Sequence, residues 1–91
     1  MARRLYLVSY DIRSPKRWRR VFRLMERSGT HRQLSVFFLR ATRTEIARLA
    51  RELEEMIETE QDSVLIAPVD KVGLRELGVR SDMPGARVVI M

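Results

Sequence analysis

The chain has no cysteine, a single histidine and no long apolar run among its 91 residues. Without cysteine there are no disulfides, no thiolate zinc sites and no cysteine nucleophile. One histidine excludes a histidine-rich metal site within one chain. No apolar stretch approaches the roughly 20 residues of a membrane span. Residues 1–4, Met-Ala-Arg-Arg, lead straight into a strand-like run, so no signal peptide is expected and the expected location is the cytoplasm. Acids are scarce in the first half: Asp11 is the only one among the first twenty-five residues, and Glu26 the only other up to residue 43. No internal repeat, glycine-rich phosphate loop or basic-Gly-aromatic RNA-binding motif is present.

What the chain has in abundance is arginine. Sixteen of its eighteen basic residues are arginine, and the net charge of +6 is unevenly spread. Residues 1–43 hold twelve basic residues against two acids, a local charge of +10, while residues 44–91 carry −4. Arginine forks onto phosphate in a way lysine does not, so this asymmetry points to a polyanion, a nucleic acid, as partner of the first half. A chain of this length makes one domain, here residues 1–91, and buries only about 60–65% of its unfolded surface. Help from a partner subunit would be unsurprising.

Residues 4–12 (RLYLVSYDI) read as a strand with two largely apolar sides. Ser14-Pro15 marks a helix start, and the helix is expected to run to about Ser28 with Gly29 as its C-cap. Trp18, Val21, Phe22 and Met25 make its buried stripe, and Lys16, Arg20, Arg23 and Arg27 a separate basic one. Residues 33–40 form a second strand. Thr42-Arg43-Thr44-Glu45 is a capping box opening a second helix to about Glu60, with Arg48–Glu52 and Arg51–Glu55 spaced for ion pairs. Residues 62–69 read as a further strand, 70–85 as turn-rich, and 86–91 as a last apolar strand able to pair with its own sheet or with a neighbour's edge. The expected fold is α+β, a ferredoxin-like β-α-β-β-α-β sandwich with two helices on one face of an antiparallel sheet.

Asp11 is the residue most suggestive of chemistry. It sits at the carboxyl end of a strand just before a basic helix, where open α/β sheets tend to place ligands. Phosphodiester hydrolysis commonly uses carboxylates to hold magnesium or manganese, yet no second acid lies nearby in sequence. A symmetric dimer would supply one, since a residue near a two-fold axis meets its own copy. On spacing alone, an Asx turn or a salt bridge to Arg17 or Arg20 is the better fit for Asp11. Tyr10 fits either substrate positioning or a half-buried sheet position. His31 fits a phosphate contact or a plain surface turn. Adjacent Phe37 and Phe38 point to opposite faces, one into the core and the other available for base stacking or dimer packing.

Tyr10-Asp11-Ile12, Lys16-Arg17-Trp18-Arg19-Arg20-Val21, Gly29 and Gln33-Leu34-Ser35-Val36-Phe37 together resemble the small CRISPR-associated Cas-two family, with Asp62-Ser63-Val64 and Val88-Val89-Ile90 fitting its later strands. The resemblance implies a ferredoxin-like homodimer whose C-terminal strand joins the partner's sheet. It implies Asp11 as the catalytic and metal-binding residue, with Mg2+ or Mn2+ shared between two subunits. Tyr10, Arg17, Arg19 and Phe37 match positions linked to substrate or site architecture, Phe37 on the dimer side. Lys16, Arg20, Arg23, Arg27, His31 and Arg32 complete the expected nucleic-acid set. The implied function is a metal-dependent endonuclease on RNA or double-stranded DNA that bridges the CRISPR integrase during spacer acquisition. A non-catalytic DNA-binding scaffold and a toxin-like ribonuclease of related fold are the alternatives.

The charge partition carries its own test. With about six phosphates contacted, affinity for duplex DNA or RNA should fall on the order of 10³-fold between roughly 50 and 200 mM salt, measured by filter binding. A flat salt response would overturn the basic-surface reading.

Overall fold

The computed structural model describes residues 2–33 and 35–77. Its elements are β1 (Arg4–Asp11), α1 (Pro15–Ser28), β2 (Thr30–Gln33), β3 (Val36–Ala41), α2 (Arg43–Met56) and β4 (Ser63–Pro68), followed by a 3-10 turn over Lys71–Gly73. The four strands form one sheet in the order β2-β3-β1-β4, every neighbour antiparallel. This is the α+β arrangement expected of the sequence, with β1 central.

Alternation along β1 divides the sheet into two unlike faces. Tyr6, Val8 and Tyr10 are buried and pack with Phe37 and Leu39 of β3 against Val21, Leu24 and Met25 of α1 and Leu49 and Leu53 of α2. Leu5, Leu7, Ser9 and Asp11 lie on the opposite face, which neither α1 nor α2 covers. Their direct cross-strand partners on that face are Arg40, Phe38 and Val36 of β3 and Ala67, Leu65 and Ser63 of β4.

The helix starts follow the sequence closely. The Ser14 hydroxyl caps α1 by accepting from the Arg17 N–H, with Pro15 as the first helical residue. Thr42 and Glu45 form the complete capping box of α2. The sequence reading differs from the structure elsewhere. The single strand expected over 33–40 is a hairpin, β2 and β3, with an irregular register between His31 and Gln33. Thr-His-Arg-Gln carries no apolar alternation to announce a strand, and its pairing with β3 supplies the order. α2 stops at Met56 rather than Glu60. Neither Arg48–Glu52 nor Arg51–Glu55 closes into an ion pair among the described residues, consistent with exposed pairs placed in the weaker Arg-before-Glu order. The strand expected over 86–91 lies outside the described residues.

Gly29 is needed for space rather than for a left-handed turn. Its backbone is extended, with φ −155°. A Cβ built there would stand 2.5 Å from the Phe38 carbonyl oxygen and 2.9 Å from the Leu39 Cβ. Only a residue without a side chain lets α1 turn into β2 this close to β3.

The loops at the other end of the sheet are joined by one carboxylate. Asp62, in the loop between α2 and β4, has a side chain with no exposed surface. Its Oδ1 accepts from the Arg13 N–H at 2.9 Å and from Arg17 Nη2 at 3.1 Å. Its Oδ2 accepts from Arg17 Nε at 2.7 Å and from the Glu58 N–H at 2.9 Å. The Arg17 guanidinium also donates to Gln61 Oε1 at 3.2 Å. Asp62 thereby ties the β1–α1 loop, the first turn of α1 and the turn that ends α2. Bonds from Arg17, and from the two backbone N–H groups, hold its carboxyl well below the usual carboxylate range against the opposing effect of burial.

Two outcomes follow from these contacts. Gly29→Ala should destabilise the fold by about 1–3 kcal/mol in urea unfolding, since the opposing atoms are backbone and a strand Cβ. For Asp62, the folded pKa lies below the unfolded value of 3.8, so its stabilisation is fully present above that pH and is lost as pH falls through it. Thermal unfolding from pH 7 to 2 should show this loss, and Asp62→Asn should be less stable at neutral pH with a flatter acid limb. An acid limb identical in the two proteins would overturn the assignment.

Candidate nucleic-acid and metal site

Asp11 closes β1 on the uncovered face, exposed, directly across from Ser63 of β4. Ser9 and Leu65 stand beside it, and Leu65 keeps 61% of its surface exposed. Among the described residues the Asp11 carboxylate has no ion pair and no side-chain hydrogen bond, so the salt bridge to Arg17 or Arg20 that its spacing allowed is not formed. Arg17 is turned to Asp62 instead. No group of three or more His, Cys, Asp or Glu able to hold a metal occurs among the described residues. Among the described residues, one chain therefore offers one exposed carboxylate at this point. Magnesium keeps several waters and takes one or two carboxylates besides phosphate oxygens, so the donor chemistry fits that ion if a second copy of Asp11 is brought alongside.

The basic residues fall into two groups. Lys16, Arg19, Arg20, Arg23 and Arg27 are all exposed along α1, at spacings that put them on its outer surface. Only Glu26 shares that surface, and none of the five has an ion pair among the described residues. Arg13, in the preceding loop, is exposed as well. This row fits a phosphate backbone tracked by arginine forks. It looks away from the sheet, whereas Asp11 lies on the far face. Arg13 and Lys16 are the exposed cations closest to Asp11 along the chain.

Arg17 and Arg32 are engaged inside the protein. The Arg17 side chain is 24% exposed and spans both oxygens of Asp62. Arg32 lies over the Phe38 ring, 5.1 Å from its centroid, and faces Glu76 at 3.8 Å. Both phenylalanines are consequently buried. Phe37 has no exposed surface and sits among the helix-face aromatics, while Phe38 on the other face is 6% exposed beneath Arg32. Phe37 thus lies within the core of its own chain, against Tyr10, Phe22 and His31.

Tyr10 also belongs to the core. Its ring lies 6.3 Å from that of Phe37 and 6.5 Å from that of Trp18. Burial first, and Glu26 second, push its hydroxyl up to about 12, so it stays protonated and neutral at physiological pH. The hydroxyl has no hydrogen-bond partner among the described residues. His31 stacks on Phe37 at 4.7 Å and meets the edge of Phe22 at 5.3 Å. It braces β2 against α1 and is partly exposed. The residue the sequence reading passed over is Asp62. Its partners Arg13 and Arg17 lie 49 and 45 positions away, beyond any spacing rule. The sequence showed it only as the opening of the Asp62-Ser63-Val64 stretch and as one of three acids, with Glu58 and Glu60, between α2 and β4.

No helix among the described residues is long and apolar enough to cross a membrane. Residues 4–76 match the family model described as CRISPR associated protein Cas2. The chain is 45% identical over 62 residues to "CRISPR-associated endoribonuclease Cas2" of Geobacter sulfurreducens, a match spanning 68% of this chain and 65% of the relative. It is 42% identical over 76 residues to "CRISPR-associated endoribonuclease Cas2 1" of Rhodospirillum rubrum, spanning 80% of this chain and 74% of the relative. Among solved structures, Streptococcus pyogenes Cas2 at pH 6.5 superimposes with a TM-score of 0.72 at 29% identity, covering 81% of this chain and 99% of that one. A hypothetical protein of Thermus thermophilus reaches a TM-score of 0.80 at 33% identity, covering 86% and 94%. With a family match running from β1 to beyond β4, and relatives named as endoribonucleases, the chain belongs to the CRISPR-associated Cas2 family.

Proposed function

We propose that the protein is a cytoplasmic homodimer that binds nucleic acid along α1 and hydrolyses phosphodiester bonds at paired Asp11 carboxylates, in the service of CRISPR adaptation beside an integrase subunit. The observation that carries this reading is the state of Asp11: an exposed carboxylate at a strand end, on a sheet face that neither α1 nor α2 covers, with no ion-pair partner among the described residues. Two such carboxylates near a two-fold axis repel each other unless a cation or proton lies between them. The relatives' name supports RNA as a substrate; duplex DNA remains part of the reading because the α1 row fits any phosphate backbone.

In this reading each residue has a limited task. Asp11 from each subunit would hold magnesium or manganese. The ion supplies a more acidic bound water and offsets phosphate charge. Arg13 and Lys16 are placed to draw a phosphate toward the β1 end and to offset charge as it develops. Arg19, Arg20, Arg23 and Arg27 hold the strand along the helix and contribute affinity rather than chemistry. Tyr10, buried and neutral, holds no proton in play. The separation between the α1 row and Asp11 favours one other reading, a DNA-binding scaffold in which Asp11 serves only the dimer.

Wild type and Asp11→Ala, each isolated as the dimer by light scattering, should be compared on labelled RNA and duplex DNA with magnesium and with chelator. Cleavage is expected only with metal and only in wild type, with a loss of at least about a hundredfold in the variant. Equal cleavage by both proteins would overturn the catalytic assignment. Binding without cleavage in wild type, together with intact spacer integration, would establish the scaffold instead.

A further inference from the structure

The role given to Asp11 makes no use of Asp62, a carboxylate with no exposed side-chain surface. Yet the groups Asp62 holds flank Asp11. The direct cross-strand partner of Asp11 is Ser63, the residue after Asp62. Arg13, two residues beyond Asp11, gives its N–H to Asp62 Oδ1 at 2.9 Å. Arg17 grips both carboxylate oxygens from the first turns of α1, and the Glu58 N–H fixes Oδ2 from the other side. Asp11 itself lacks any polar side-chain partner among the described residues, so its direction is set by the backbone around it.

We infer that Asp62 is the positioning residue for Asp11, and that Arg17 is the counter-ion of Asp62 rather than a contact for phosphate. This inference rests on the reading of Asp11 as a metal-binding carboxylate. A ligand must be held to within about 0.5 Å for its site to work, and that tolerance is met by supporting groups which are themselves locked. Asp62 is locked by four donors drawn from three segments. Arg17 cannot leave for a phosphate without stranding a buried charge, the costliest change such a pair can suffer. The α1 row has five exposed cations, free of ion pairs among the described residues, to take phosphates instead.

The variants Asp62→Asn and Arg17→Gln separate these roles in the full-length protein. Asparagine keeps one carbonyl oxygen for the Arg13 N–H but turns an NH2 group toward Arg17 Nε and the Glu58 N–H. Glutamine at 17 removes the guanidinium and leaves both backbone donors in place, so it carries the same comparison if Asp62→Asn does not fold. Amide exchange well below the melting temperature should rise about tenfold or more at residues 11–13 in both variants, while Val8 and Phe37 keep wild-type protection. Manganese affinity, followed by electron paramagnetic resonance, should fall roughly tenfold. Binding to duplex DNA in chelator should keep its wild-type salt slope, which loss of a phosphate contact would lower by about 1.

Unchanged exchange at residues 11–13, or exchange that rises equally through the core, would overturn the positioning role. A salt slope lowered in Arg17→Gln would overturn the counter-ion role. A wild-type protein that binds no manganese would instead remove the metal reading of Asp11. Exchange alone then decides the inference: local opening at 11–13 upholds it, and its absence overturns it.

Discussion

The fold is closed at one end by a single buried charge. α1 has no acid in its own first turn, although a helix N-terminus gains from a nearby negative charge. Asp62 supplies that charge from forty-five residues away, through Arg17. The same carboxylate ends α2 and sets where β4 begins, because it accepts the Glu58 N–H just before the strand. A buried charge of this kind contributes little if it merely replaces packing, but removing one partner leaves the other exposed to the full desolvation penalty. The loops on both sides of Asp11 are therefore fastened to each other through one carboxylate.

Much of this was legible along the chain, and what was not has a common cause. Ser14-Pro15 and the Thr42–Glu45 box announce helix starts because capping is a contact between residues three apart. The stripe Trp18, Val21, Phe22 and Met25 announces a buried face because the helix repeats every 3.6 residues. Asp11 could be placed at a strand end by the same local logic. β2 was hidden, since Thr30–Gln33 has no apolar alternation and is ordered by pairing with β3. The fixing of Arg17 was hidden too, since it depends on Asp62, 45 positions away. Gly29 was legible as the C-cap of α1, which it is, donating its N–H to the Met25 carbonyl; the close approach of the Phe38 carbonyl was not, because it lies on another strand.

The family resemblance grouped residues that the structure distributes over different layers. Asp11, Arg19 and the rest of the exposed α1 row face solvent, whereas Tyr10 and Phe37 pack together in the core and Arg17 is held by Asp62. A motif of this sort mixes residues that can touch a ligand with residues that hold those in place. Burial and hydrogen bonding, rather than sequence position, tell the two apart. Phe38 and Arg32 make the same point on the other face, where a ring that could have stacked on a base is roofed by a guanidinium.

The charged surfaces of the two helices have a kinetic meaning. α1 presents Lys16, Arg19, Arg20, Arg23 and Arg27, while the end of α2 and the loop after it expose Glu52, Glu54, Glu55, Glu58 and Glu60. Such a molecule is an electric dipole as well as a cation. On the proposed reading, the field of a nucleic acid would turn it before contact, drawing the α1 row toward the polyanion. Encounters in that orientation would then be favoured over the others.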